Sequence, residues 1–273
     1  MTEMARIRRW KRFIDPQSNK ALVVPLDHGL TMGPIRGINR PEEILSWVNT
    51  EAVTGVVLHK GLAERIGSHL NCGLMIHLNG SVNTDEQPDL KQLVTTVEAA
   101  VRLGADAVSI QTNFSSATAS HNLRLIGHVV DEAHAWGMPV LNMVYDKSAN
   151  GSQGLESIRH FMRAAVELGV DALKVAAPQD FRQIPEMLDG IQSHTPVLFA
   201  GGALADERAL IELAAATVEH NAGGICVGRN VFQRSNPTAT LRQLQSVFRD
   251  DVLSETGFAR SLALCQQEAE LVL

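Results

Sequence analysis

Leu168-Gly169-Val170-Asp171-Ala172-Leu173-Lys174-Val175-Ala176 repeats, in its first five positions, the phrase Leu103-Gly104-Ala105-Asp106-Ala107. Each passes from an amphipathic segment through a glycine into a short apolar run. A glycine just past the last helical residue is C-cap chemistry. Apolar residues without polar alternation suit a parallel strand covered on both faces. A recurring helix–glycine–strand phrase is what a repeated (β/α) unit looks like.

Outward from this pair, eight apolar runs recur: Ala21–Asp27, Val53–Lys60, Gly73–Leu78, Ala105–Thr112, Met138–Tyr145, Val170–Ala176, Pro196–Gly201 and Gly223–Gly228. Amphipathic segments separate them, among them Asp89–Leu103, His121–Trp136, Leu155–Leu168, Phe181–Ser193 and Asp206–Asn221, and Gly104, Gly137 and Gly169 close three of these. Eight strands alternating with helices predict an α/β fold, a (β/α)8 TIM barrel. A doubly wound open sheet would have fewer strands, and no Gly-x-Gly-x-x-Gly follows the first run. No linker or low-complexity tract interrupts the pattern, so residues 1–273 are read as a single domain, with an added N-terminal helix over 4–14 and a C-terminal helix over 252–271.

Of the 273 residues, 45% are hydrophobic and 20% charged, an ordinary globular balance, and the net charge of -6 provides no basic field for nucleic acid. No apolar run approaches the ~20 residues that span a membrane. The basic cluster Arg6, Arg8, Arg9, Lys11 and Arg12 has no apolar segment behind it, so it is read as a solvated helix against the body rather than a secretory signal. Cys72, Cys226 and Cys265 are too few and too scattered for a disulfide framework or a paired-cysteine metal site. A reducing cytoplasm is the expected location.

Lys174 stands inside an apolar strand, where lysine is rarely found unless paired or used. Desolvation disfavours its ammonium and is expected to lower its pKa, which makes an amine nucleophile. Side-chain alternation turns Ala172 and Ala176 inward with it and leaves Leu173 and Val175 facing the helices. A buried lysine paired with Asp27 or Asp171, without chemistry, is the competing reading. In a barrel the active site lies at the C-terminal strand ends. There the first run ends in Asp27-His28-Gly29, the second in His59-Lys60-Gly61, the third in His77-Leu78-Asn79-Gly80 and the fifth in Tyr145-Asp146-Lys147. Asp27 and Tyr145, the single tyrosine, are candidate proton carriers beside Lys174. His28, His59, Lys60, His77 and Asn79 are candidate pocket residues. The histidines lack the partner spacing of a metal site, so no metal or other cofactor is expected. Gly201-Gly202 after the seventh run and Gly228-Arg229 after the eighth fit the place where barrels bind phosphate through backbone N–H groups.

These positions together resemble the archaeal-type class I aldolase family, also called the DhnA family. The phrases that carry the resemblance are Val24-Pro25-Leu26-Asp27-His28-Gly29 with Gly33-Pro34, Leu58-His59-Lys60-Gly61, Trp136-Gly137-Met138-Pro139, Ala200-Gly201-Gly202 and Val227-Gly228-Arg229-Asn230-Val231-Phe232-Gln233. Within the family the chain is most similar to the 2-amino-3,7-dideoxy-D-threo-hept-6-ulosonate synthases and the aldolases of aminohydroxybenzoate biosynthesis. The resemblance implies a Schiff base on Lys174, acid/base roles for Asp27 and Tyr145, and phosphate binding by Gly201, Gly202, Gly228 and Arg229. It further implies a phosphorylated ketose and a small aldehyde such as L-aspartate semialdehyde as substrates, and a homo-oligomer, typically a decamer of pentameric rings. Asp146-Lys147-Ser148 replaces the usual Pro-Arg-Gly after the tyrosine, Val175 replaces Thr after the lysine, and Asn79-Gly80-Ser81 differs too. Fructose-bisphosphate cleavage, thiolase-like acyl transfer on a phosphorylated diketone and a non-catalytic sugar-phosphate-binding barrel stay open as alternatives.

Overall fold

Gly104, Gly137 and Gly169, the glycines that close the predicted helices, adopt φ of 76°, 64° and 90°, the left-handed region that glycine enters without a Cβ penalty. Each therefore turns a helix end into the next strand. The computed structural model describes residues 2–148 and 154–249. Its barrel strands are β1 Ala21–Pro25, β2 Gly55–Leu58, β3 Gly73–His77, β4 Ala107–Phe114, β5 Val140–Asp146, β6 Ala172–Ala176, β7 Val197–Ala200 and β8 Gly224–Cys226. Parallel neighbours run in chain order, and β8 pairs with β1 (Leu22 opposite Ile225) to close the ring. This is the expected (β/α)8 barrel.

Two side-chain layers follow from strand alternation. Leu173 and Val175 belong to the large shell between strands and helices. Ala172, Leu141, Met75, Leu198 and Cys226 fill the interior, which is a packed core rather than a pore. Phe13 closes the bottom. Its ring is fully buried and lies where a Cβ on Gly55 or Gly73 would come within 2.3 and 2.8 Å of it, so these two strand starts need glycine.

The aspartates of the repeated phrase do matched work at that end. Asp106 Oδ2 accepts from Leu74 N (3.0 Å) and Asp171 Oδ2 from Val140 N (2.9 Å), each tying its strand to the start of the one before. The N-terminal helix, Thr2–Trp10, docks on them. Arg6 pairs with Asp171 at 2.6 Å and Arg12 with Asp106 at 3.2 Å, while Arg9 donates to Ala105 O. The basic cluster is thus partly spent on the barrel's underside, in keeping with a helix that lies against the body. Asp171 is occupied there, which removes it as a partner for Lys174.

Two predicted helices are shorter than expected. Asp89–Leu103 contains a helix only over Val97–Arg102, started by the Thr96 side chain accepting from Ala99 N. Upstream, Gln92–Leu93 pairs antiparallel with Asn79–Gly80. Phe181–Ser193 is broken by Asp189 and Gly190, both in the left-handed region. The C-terminal helix expected over 252–271 lies outside the described residues.

Candidate active site

The C-terminal ends of the strands surround a cavity of about 180 Å³. Lys174, Tyr145 and Asp27 line it from β6, β5 and the end of β1. His28, His59, His77, Asn79 and Arg229 line it as well, so eight of the sequence-derived candidates meet in one place. Lys60 does not: it is exposed and donates to Val94 O at 3.0 Å, because the helix it begins points it away from the mouth. Gly201, Gly202 and Gly228 are not among the lining residues; they lie on the loops after β7 and β8.

Lys174 is only 6% exposed. In register it faces Met143 on β5 and Leu198 on β7, and its Nζ donates to Met143 Sδ at 3.7 Å and is bonded to Cys226 as well. Its hydrogen-bond acceptors among described residues are thus sulfurs, which accept weakly. Burial pushes the ammonium down, but Cys226, Tyr145 and Asp27 push it up, and the balance lies above the ordinary lysine value. The expectation of a lowered pKa is therefore corrected. The strand placement made the desolvation visible, whereas the opposing groups come from the other side of the barrel. The Cys226 thiol is itself pushed up to about 11 by burial and is uncharged at neutral pH, which leaves Asp27 as the anion that holds the Lys174 ammonium in the working range.

Asp27 is the electrostatic centre. Burial would raise its carboxyl, but His77, His28, Lys174 and His59 together bring it below the usual value. His28 Nδ1 is 3.6 Å from Asp27 Oδ1 and His77 Nε2 is 3.8 Å from Oδ2. Burial in turn holds His77 down to about 3 against the pull of Asp27, so this ring is neutral at physiological pH. Its Nδ1 shares a proton with Ser109 Oγ at 2.8 Å, and it packs edge-on to His59. No group of three or more His, Cys, Asp or Glu is arranged to hold a metal among the described residues. With His77 uncharged at physiological pH, Lys174 is the standing cation among the groups that act on Asp27.

The loops after β7 and β8 are built from close approaches. A Cβ on Gly201 would meet Val227 Cγ1 at 2.7 Å, and one on Gly228 would meet His28 Cε1 at 2.7 Å and Pro25 O at 2.9 Å. Asn230 clamps the β7 loop: its Nδ2 donates to Gly201 O and Ala203 O, both at 2.8 Å, and its Oδ1 accepts from Ala205 N at 2.9 Å. Arg229 Nε, His28 Nδ1 and His59 Nδ1 are buried without a hydrogen-bond partner, which is unusual for buried polar atoms.

Six lining residues were not singled out as candidates from the sequence: Met32, Gly80 and four more. Met143 and Gln111 face inward from β5 and β4, Thr31 comes from the short helix after β1, and Lys91 comes from the β3 loop. Lys91 is 4% exposed. It sat in a segment read as a helix, and no local signal marked it.

A model of the DeoC/LacD family aldolases matches residues 21–234. The chain is 31% identical, over 91% of its length and 92% of the relative's, to 2-amino-3,7-dideoxy-D-threo-hept-6-ulosonate synthase 1 of Archaeoglobus fulgidus. It is 29% identical, over 95% of both chains, to 2-amino-4,5-dihydroxy-6-oxo-7-(phosphonooxy)heptanoate synthase of Streptomyces griseus. Among solved structures it superimposes with a TM-score of 0.81 and 25% identity, over 89% of this chain and 98% of the other, on an archaeal fructose-1,6-bisphosphate aldolase whose catalytic lysine is covalently bound to the carbinolamine intermediate of the substrate.

Proposed function

The chain belongs to the DeoC/LacD family of aldolases, and from that premise we propose that it is a class I aldolase whose Lys174 forms a Schiff base with a phosphorylated ketose and joins that donor to a small aldehyde. The observation that carries this reading is the convergence of Lys174, Asp27 and Tyr145 on one cavity, with Lys174 buried at an inward position of an apolar strand. A binding protein has no need of an amine there, since burying one costs free energy unless it is used or paired.

The chemistry follows from the charges. Lys174 rests as an ammonium in the field of the Asp27 carboxylate, so a proton must leave Nζ before attack, and Asp27 is the group that takes it. The free amine adds to the donor ketone and gives a carbinolamine. Asp27 returns the proton to the departing hydroxyl, water leaves, and the iminium forms. The iminium withdraws electrons from the adjacent carbon, so a proton there becomes acidic and leaves by relay through the Tyr145 hydroxyl at the end of β5, with the Asp27 carboxylate, freed again, as its final acceptor. The resulting enamine carbon adds to the acceptor carbonyl, whose oxygen takes the proton back along the same relay. Hydrolysis of the new iminium frees the product and the lysine. The sink for the electron pair is covalent, so the reaction needs no Lewis-acid metal. Gly201, Gly202, Gly228 and Arg229 hold the donor phosphate through backbone N–H groups and a charge-assisted contact.

We extend the proposal to L-aspartate semialdehyde as acceptor, on the similarity to the two heptulosonate and heptanoate synthases. Cleavage of fructose 1,6-bisphosphate is the second reading, favoured by the superposition on the archaeal aldolase. Mass spectrometry of products from dihydroxyacetone phosphate with either aspartate semialdehyde or glyceraldehyde 3-phosphate separates the two. A product with neither acceptor, nor with a deoxyketohexose phosphate as donor, overturns the proposal. A cytoplasmic homo-oligomer, a decamer in its most specific form, is also proposed from the family resemblance. No helix among the described residues is long and apolar enough to cross a membrane. Light scattering that returned the 29.6 kDa mass of one chain would refute the oligomer.

A further inference from the structure

The cavity has an end that the mechanism above does not use. Asn79–Gly80 and Gln92–Leu93 pair as a small two-stranded sheet over the β3 side of the mouth. Asn79 fixes it to β4 by a reciprocal pair of hydrogen bonds with Gln111 O and Gln111 N, both 2.8 Å. The short helix His28–Met32 packs on it so closely that a Cβ on Gly80 would meet Leu30 Cδ2 at 2.5 Å. This contact brings Thr31 against Lys91. Lys91 Nζ donates to Ser81 Oγ at 2.9 Å and to Thr31 Oγ1 at 3.5 Å, and Ser81 Oγ passes its own proton to Pro88 O.

Lys91 is buried and makes no ion pair within 4.0 Å among the described residues; Asp89 and Asp27 act on it only from farther off. An ammonium has three donor protons, and only one of these two contacts is a short one. Burying such a cation between hydroxyls costs free energy that an anion would offset. Lys91, Lys174 and Arg229 line the cavity against one carboxylate, Asp27. Asp27 balances one cation and the donor phosphate another, which leaves Lys91 for a second anionic group.

Resting on the aldolase reading, we infer that Lys91, with Thr31 and Ser81, binds an anionic group carried by the acceptor aldehyde and is the residue that selects acidic acceptors over uncharged ones. A carboxylate and a phosphate share this chemistry. The experiment compares kcat/KM, at saturating donor, for aspartate semialdehyde, glyceraldehyde 3-phosphate, glyceraldehyde and propionaldehyde, in the wild type and in Lys91→Met and Lys91→Arg. The wild type is expected to prefer one acidic acceptor over its uncharged counterpart by about 10- to 100-fold, the scale of one charge-assisted contact. The preferred acid identifies the group as carboxylate or phosphate. Lys91→Met should abolish that preference through KM for the acceptor, and Lys91→Arg should restore most of it. Borohydride trapping of donor on Lys174 serves as the control that each protein is folded. A wild type that traps donor but shows no acid preference overturns the inference and leaves the aldolase reading standing, as does a preference unchanged in a folded Lys91→Met. If the wild type traps no donor, both fall.

Discussion

Asn230→Ala would remove three short hydrogen bonds at once, those from Nδ2 to Gly201 O and Ala203 O and the one from Ala205 N to Oδ1, besides a long one from Arg234 Nη2 to Oδ1 at 3.4 Å. Asn230 is 1% exposed, so water cannot readily replace them. At roughly 0.5–1.5 kcal/mol net for each, the loss is about 2–4 kcal/mol, or a fall in Tm of roughly 5–15 °C for a chain of this size. The loop that loses its clamp carries Gly201 and Gly202, so KM for the phosphorylated donor should rise by about tenfold. Asn230→Asp is the sharper probe. It keeps an acceptor for Ala205 N but sets a carboxylate oxygen against two carbonyl oxygens, and it should be worse than Ala in both Tm and KM. Thermal melts and initial rates with varied donor read both effects. An Asn230→Ala protein that melts within about 1 °C of the wild type with unchanged KM would refute the reasoning, since at that size the clamp would hold nothing.

The other expectations are shorter. Arg229→Ala should raise KM for phosphorylated donor by one to two decades, the value of about 1.5–3 kcal/mol for a charge-assisted contact, and an unchanged KM would move the phosphate elsewhere. Asp15 is held down to about 2, first by its hydrogen bonds from Arg249, against 3.8 for the ordinary group. Its ion pair therefore stabilises the fold fully above about pH 4 and is lost as pH falls through 2. The stability difference between wild type and Asp15→Asn should be about 1–2 kcal/mol at pH 6 after allowance for solvent screening, and should vanish near pH 2; a difference that grew on acidification would contradict the pairing. Dialysis against EDTA should leave activity intact, and activity lost and then restored by Zn²⁺ would bring His28, His59 and His77 back as ligands.

The barrel was legible because parallel strands covered on both faces read as unbroken apolar runs, and because the Gly-x-Asp phrase marks the same junction twice. Lys174 was legible for the same reason: a charge stands out in such a run. The β3 loop was not. Its pairing of Asn79–Gly80 with Gln92–Leu93 is set by the packing of Leu30 on Gly80 and by Gln111 on β4, contacts distant in sequence. The apolar spacing of Asp89–Leu103 suggested a helix instead, and Lys91 was hidden inside it. The charge state of Lys174 was illegible too. Its burial can be read along one strand, but Asp27 and Cys226 reach it from β1 and β8, and only the closed ring brings them together.

The central claim is that Lys174 is the nucleophile, and sodium borohydride added with dihydroxyacetone phosphate tests it most directly. The account predicts a stable adduct on the peptide that contains Lys174. It predicts none in Lys174→Arg, which keeps the positive charge and the fold but cannot form an imine. Lys91 is the rival within the cavity, with Lys60 and Lys147 at neighbouring strand ends. An adduct on any of these three, with Lys174→Arg still turning over, would contradict the account and leave Lys174 as a buried partner of Asp27.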